Sequence, residues 1–324
     1  MNPFINTLAP IWRSPTCVYL DEEVLNRVAA EIALEDMPIP SWYDPVFPAD
    51  NNEIFINFIG VGNAINFAFT DFNTHERFSV EYKAKEWRGA FGMWACLLRA
   101  LDQGVDILKG EFLAGLEKKQ CEEIFRGKSQ IPMVEERWSI LRQVGGILCG
   151  KYEGSFFNLF EKSHYNAFGD GGIVDRLLKD FPSFNDQSLH RASGNVLKFH
   201  KRAQLLAMMY QGRAWTSTEL PKLSDFEDLG PIADYAVPKA LHTAGILIYS
   251  DTLLGKVRSY KLIEKDSVEE QELRAQTIHA QVKLMEHINK LRASKINFLQ
   301  LDYKVWGLGR GGSEPHHLTK TTAY

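Results

Sequence analysis

Lys198-Phe-His-Lys-Arg-Ala-Gln-Leu-Leu-Ala-Met-Met-Tyr210 is the stretch whose reading decides the fold. From Phe199 to Tyr210 apolar residues recur at steps of three and four, which predicts a helix with a buried stripe and a cationic start. About thirty residues later, Pro231-Ile-Ala-Asp-Tyr-Ala-Val-Pro238 reads as a Pro-bounded turn entering a second helix, with Asp234 placed by the backbone at the junction. A carboxylate there either caps the helix or stands at the mouth of a pocket, with Lys201 nearby to bind an anion or tune its pKa. The residues alone leave both open.

The same helical period runs through most of the chain on either side. Asp21 to Leu34 has helical spacing with Asp21 as its cap, and Ile54 to Asn66 reads as a helix ending at an extended Phe67-Ala-Phe69. Trp87 to Trp94 is expected to lead into a helix running to about Leu101, and further helices are expected over Glu111 to Phe125, Met133 to Leu148, Phe156 to Phe160 and Gly172 to Lys179. Beyond the second turn they are expected over Ala240 to Ile248, Leu253 to Val257 and, with a polar outer face, Val268 to Ala293. Arg77 to Trp87 alternates and predicts a small β hairpin near residue 80. Residues 1 to 15, with three prolines, are expected to lie across the body without forming an element, and Pro38 to Asn52 to form a rigid aromatic loop that lines a pocket or covers the core. With no repeat and no long linker, residues 1–324 are expected to form one mainly α domain.

Composition narrows the function. A net charge of −4 disfavours a protein that coats nucleic acid with cations, while leaving room for a small anionic ligand in a local basic pocket. Cys17, Cys96, Cys121 and Cys149 are far apart and lack ligand spacing, so free thiols in a reducing compartment are expected, and no metal. There is no signal pattern and no run of ~18 apolar residues to span a bilayer. The expected compartment is the cytoplasm, extending to the nucleus, with no membrane partner.

Familiar templates fail: Gly307-Leu-Gly-Arg-Gly-Gly312 follows no strand and opens no helix, and neither Gly-x-Ser-x-Gly nor His-Glu-x-x-His occurs. Two acids remain, Asp234 and Asp302, each beside a Tyr in apolar text (Ala233-Asp-Tyr235, Leu301-Asp-Tyr303). Burying a carboxylate is costly unless it is paired or used. Two facing one pocket suit glycosyl-bond cleavage, where one stabilises the cationic sugar or activates water and another group handles the leaving base.

Nine segments in order, Asn66-Phe-Ala-Phe69, Arg99-Ala-Leu-Asp-Gln-Gly104, Pro132-Met-Val-Glu-Glu-Arg137, Gly154-Ser-Phe-Phe-Asn158, Phe181-Pro-Ser-Phe184, Lys201-Arg-Ala-Gln204, Ala233-Asp-Tyr235, Tyr249-Ser-Asp251 and Leu301-Asp-Tyr303, together resemble the queuosine salvage protein family from about residue 15 onward. The resemblance implies a helical fold similar to helix-hairpin-helix DNA glycosylases. It also implies hydrolysis of the N-glycosidic bond of queuosine 5′-phosphate, releasing queuine for tRNA modification. It puts the catalytic carboxylate on Asp234, the active-site lysine on Lys201 and a contact to the base on Asp302. Lys201 is then expected to meet phosphate or ribose, Asp302 the cationic aminomethyl arm or the base edge, and Phe69, Phe91, Ile232 and Tyr235 the bound substrate. No cofactor is implied, and a monomer acting on a free nucleotide is expected. The chain departs from the family pattern at Ile232, where Phe is common, at Val46, where a His is expected and Asp44 could substitute, and at Asn63 in place of Asp. The alternative is a protein that binds a deazapurine without cleaving it.

Overall fold

The computed structural model describes residues 2–49, 53–169 and 171–324. Among these lie fourteen α-helices and three two-stranded antiparallel ribbons, so the protein is mainly α. The expected hairpin near residue 80 pairs Ser79–Tyr82 with Lys85–Arg88. No helix among the described residues is long and apolar enough to cross a membrane.

The Glu53–Ala64 helix is apolar on nearly all sides, and such a helix must be surrounded. It is buried against the Ala90–Asp102, Val134–Lys151, Phe156–Lys162 and Lys201–Thr216 helices. Two glycines allow the approach. A Cβ on Gly60 would lie 2.4 Å from the Phe156 ring, and one on Gly62 only 1.7 Å from that of Trp94. A second apolar cluster joins the Glu22–Ala33, Ala236–Thr243, Val268–Leu291 and Phe298–Gly309 helices. Trp306 packs against both clusters, and a cavity opens where they meet.

Several elements depart from the sequence reading. The expected Glu111–Phe125 helix is two, Gly110–Gly115 and Lys118–Ile124, because Glu117 takes an extended conformation and forms a capping box with Gln120 that starts a new helix. The Ala240–Ile248 helix instead spans Ala236–Thr243. Gly245, at φ +80°, turns the chain, and Leu247–Tyr249 becomes a strand paired with Val18–Leu20. Phe199 and His200 precede the helix rather than begin it, for Asn195–Lys198 pairs with Gln187–His190 in a third ribbon and the helix starts at Lys201. The N-terminal stretch holds a short Ala9–Arg13 helix, with Leu8 and Ile11 buried against Ala275 and Ile278. Ala68 is left-handed (φ 43°), so Phe67–Phe69 is not simply extended. The Val268–Leu291 helix was expected to show its polar residues to water, yet Glu270, Gln271, Glu272, Arg274, Gln276, Thr277 and Gln281 are buried. Of the Pro38–Asn52 loop, residues 38–49 are irregular as expected and residues 50–52 lie outside the described residues.

Glycine substitutions test this packing. Gly62→Ala forces a methyl into the Trp94 ring and is expected to cost about 2 kcal/mol or more. Gly146→Ala, exposed on the Val134–Lys151 helix with open space beside it, is expected to stabilise by about 0.5–1 kcal/mol. Urea unfolding of both variants reads the difference.

Candidate active site

The cavity holds about 810 Å³ of empty space when the open solvent at its mouth is included. All seven residues singled out from the sequence, Asp234, Lys201, Asp302, Ile232, Tyr235, Phe69 and Phe91, line it. They come from five separate parts of the chain, so their convergence is a product of tertiary folding.

Lys201 is the first residue of its helix, behind a left-handed His200 (φ 47°). Its backbone N–H donates to Asp186 Oδ2 at 3.1 Å, and its ammonium reaches the Asn66 carbonyl at 3.5 Å. Burial lowers its pKa, and the charge of Asp234 opposes the shift, with Asp302 adding to that opposition. Arg202, the next residue, points elsewhere and donates to the carbonyls of Asn63, Ala64 and Ser183. Neighbouring positions on a helix face different directions, and only the first faces the cavity.

Asp302 sits in the first turns of the Phe298–Gly309 helix, started by an Asn297–Gln300 capping box. Only 8% of it is exposed, and its Oδ1 is buried with no hydrogen-bond partner. Burial pushes its pKa well above the usual carboxylate range. The charge of Asp234 pushes the same way, and Lys201 only partly offsets them. Asp234 lies just ahead of the Ala236–Thr243 helix and accepts from the N–H groups of Ala236 (2.7 Å) and Val237 (3.1 Å). The two readings of this Asp therefore coexist: it caps the helix, and it faces the cavity.

The walls are aromatic. Phe91 stacks on Trp306 with centroids 5.9 Å apart, and Tyr235 stacks on His316 at 4.2 Å. Burial pushes the Tyr235 phenol up to about 12, so it stays neutral. Ile232 is held by its carbonyl, which accepts from Gln281 Nε2 at 2.9 Å. The wall from Asn66 to Phe69 is shaped by buried Arg137, which donates to the carbonyls of Ile65, Phe67 and Ala68.

Sequence reasoning missed Asn66, Arg77, Trp306 and Tyr324 as cavity residues. Trp306 was legible, standing four residues after Asp302 and so on the same helix face. Arg77 and Tyr324 carried no such signal. Trp42 fulfils the expectation of a loop aromatic at a pocket. Val46 is buried in the core, and Asn63 bonds the Ile59 carbonyl and Met209 sulfur; neither lines the cavity, nor does Asp44. Among the described residues no cluster of three or more His, Cys, Asp or Glu could hold a metal.

The family model for the queuosine salvage protein matches residues 46–324. The chain belongs to the queuosine salvage protein family. A Sphaerobacter thermophilus relative named queuosine 5′-phosphate N-glycosylase/hydrolase is 30% identical over 326 residues, covering 99% of this chain and 97% of the relative. Proteins of the same name from Mus musculus (30% identical; 95% of this chain and 94% of the relative) and Schizosaccharomyces pombe (31%; 79% and 75%) are also similar. Lys201, Asp234 and Asp302 thus line one cavity in a chain similar to these relatives along most of its length.

The state of Asp302 has a thermodynamic consequence. Because its folded pKa lies above the unfolded value of about 3.9, its contribution to stability is intact below that pH and is lost as pH rises through the folded pKa. Asp302→Asn is therefore expected to raise the thermal midpoint of the ligand-free protein at pH 7, with the advantage shrinking toward pH 4. Scanning fluorimetry across pH checks it.

Proposed function

We propose that this protein hydrolyses the N-glycosidic bond of queuosine 5′-phosphate, releasing queuine for salvage into tRNA modification. The observation that carries the reading is the convergence of Lys201, Asp234 and Asp302 on one aromatic-walled cavity, in a chain similar to relatives that bear this activity in their names.

The base stacks against Phe91 and Phe69, with Ile232 and Tyr235 closing on it. Asp302 meets the cationic aminomethyl arm, which supplies the counter-charge that burial denies this carboxylate in the empty cavity. Asp234, fixed by two backbone N–H groups, lies at the sugar. As the C1′–N9 bond breaks, its electron pair leaves with the base, and Asp234 stabilises the positive charge growing on the ribose or orients the water that adds to C1′. The water's proton passes to the base, so the products are queuine and ribose 5-phosphate. The Lys201 ammonium, facing both carboxylates, meets the ribose and limits their mutual repulsion. This hydrolysis calls on no cofactor, and the chain acts as one unit, a cytoplasmic monomer working on a free nucleotide, with a fold akin to helix-hairpin-helix DNA glycosylases.

Chromatography of the free base after incubating the purified protein with queuosine 5′-phosphate is the test. Release is expected from the wild type, and Asp234→Ala is expected to reduce it by about a hundredfold or more. Undiminished release by Asp234→Ala would sink the catalytic assignment. Tight binding of queuine without release by the wild type would establish a deazapurine-binding protein instead.

A further inference from the structure

Behind the aromatic wall lies a second, smaller hollow. Phe69, Tyr235 and Tyr324 line both it and the main cavity, so these three rings form the partition between them. The far side of the hollow is the segment 316–319, held to the body through Leu318, whose carbonyl accepts from the Ile263 N–H at 2.8 Å. A ring with empty space behind it can swing away from the cavity unless something stops it. For Tyr235 the stop is His316, whose ring centroid lies 4.2 Å away with the two planes 30° apart.

Both edges of that imidazole are fixed. A carbonyl only accepts, so Nδ1 carries the proton and donates to the His317 carbonyl at 2.7 Å. In the neutral ring Nε2 is then left to accept from the Thr70 hydroxyl at 2.9 Å. Burial holds the His316 pKa down to about 4, so the ring is neutral at pH 7; the charges of Arg77 and Lys239 add to burial, and the His317 bond and Asp234 oppose it. Thr70 directly follows Phe69, and Tyr235 directly follows Asp234. His316, which does not itself line the cavity, therefore braces the Asp234–Tyr235 turn against the segment that carries Phe69. The Asp234 carboxylate accepts from the N–H groups of Ala236 and Val237, so its aim follows the backbone on either side of Tyr235.

We propose that His316 is a positioning residue for the hydrolysis: by bracing Tyr235 from behind, it fixes the turn that aims the Asp234 carboxylate at the ribose. This rests on the activity proposed above. A reacting group displaced by about 1 Å loses stabilisation chiefly in the transition state, so the effect falls on kcat rather than on KM.

Three replacements separate the ring from the space it fills. His316→Phe keeps a ring face toward Tyr235 without the hydrogen bonds, His316→Leu keeps only apolar volume, and His316→Gln keeps a polar group toward Thr70. With queuosine 5′-phosphate, His316→Leu and His316→Gln are expected to lower kcat by about tenfold with KM within about threefold of the wild type, whereas His316→Phe retains at least about a third of kcat. Equal kcat in all three variants, or a loss confined to KM, overturns the proposal, and His316→Gln carries the comparison if His316→Leu does not fold. A second readout needs no turnover: the nuclear magnetic resonance signal of the Tyr235 ring in protein carrying isotope-labelled tyrosine, assigned by its loss in Tyr235→Phe. The stacked imidazole is expected to displace that signal in the wild type. The displacement is expected to persist in His316→Phe and to vanish in His316→Leu and His316→Gln. If the wild type releases no base, the activity fails by itself and this signal decides the brace; a Tyr235 signal unmoved in His316→Leu and His316→Gln refutes it.

Discussion

A buried ion pair between Asp186 and Arg274 holds the functional end of this molecule together. Both side chains are almost wholly removed from water, and the guanidinium grips the carboxylate with two bonds of 2.8 and 2.5 Å. Burial alone would raise the Asp186 pKa, but Arg274 and the Lys201 N–H pull it below the ordinary carboxylate value. Through its side chain Asp186 receives the first N–H of the Lys201 helix, and through its carbonyl the N–H groups of Phe199 and His200. Arg274 in turn lies against the rings of Phe199 and Tyr324. One pair thus sets where the ribbon ends, where the helix carrying Lys201 begins and where Tyr324 closes on the cavity. Such pairs contribute more to placement than to net stability, because desolvating two charges offsets much of their attraction.

The long Val268–Leu291 helix extends the same principle. Three of its buried polar side chains, Glu272, Gln271 and Gln281, each bind a segment distant in the chain. Glu272 accepts from the N–H groups of Thr16, Cys17 and Val18, at the start of the N-terminal strand. Gln271 donates to Ser188 and the Leu189 carbonyl in the ribbon beside the site, and Gln281 to the Ile232 carbonyl ahead of Asp234. A backbone group buried without a partner costs as much as a lost hydrogen bond, so irregular segments crossing the interior require such donors and acceptors.

In the cavity two polar atoms lack partners, an Asp302 oxygen and Arg77 Nε, and Lys201 is buried beside the carboxylates. Uncompensated polar groups of opposite sign in one apolar hollow destabilise the empty protein and suit a ligand that brings the missing charges. Structure and stability are given up locally where binding requires it.

The sequence by itself determined the helical framework, because a 3.6-residue period survives in the pattern wherever a helix has one buried face, as over Asp21–Leu34, where Leu25, Ala29 and Ile32 are buried. It also pointed to Asp234, Lys201 and Asp302, since carboxylates in apolar text and an ordered set of motifs are properties of the string. The ribbons of Val18–Leu20 with Leu247–Tyr249 and of Gln187–His190 with Asn195–Lys198 were not legible: strands of three or four residues carry too little alternation, and the first pair lies more than two hundred residues apart. The inward face of the Val268–Leu291 helix was misread because polarity predicts exposure only when no buried partner waits, and the partners come from distant segments. Tertiary structure alone decided that Arg77 and Tyr324 join the cavity and that Asp302 lacks a partner there. Charge, burial and pairing at a site depend on distances between residues far apart in the chain, and those distances exist only once it has folded.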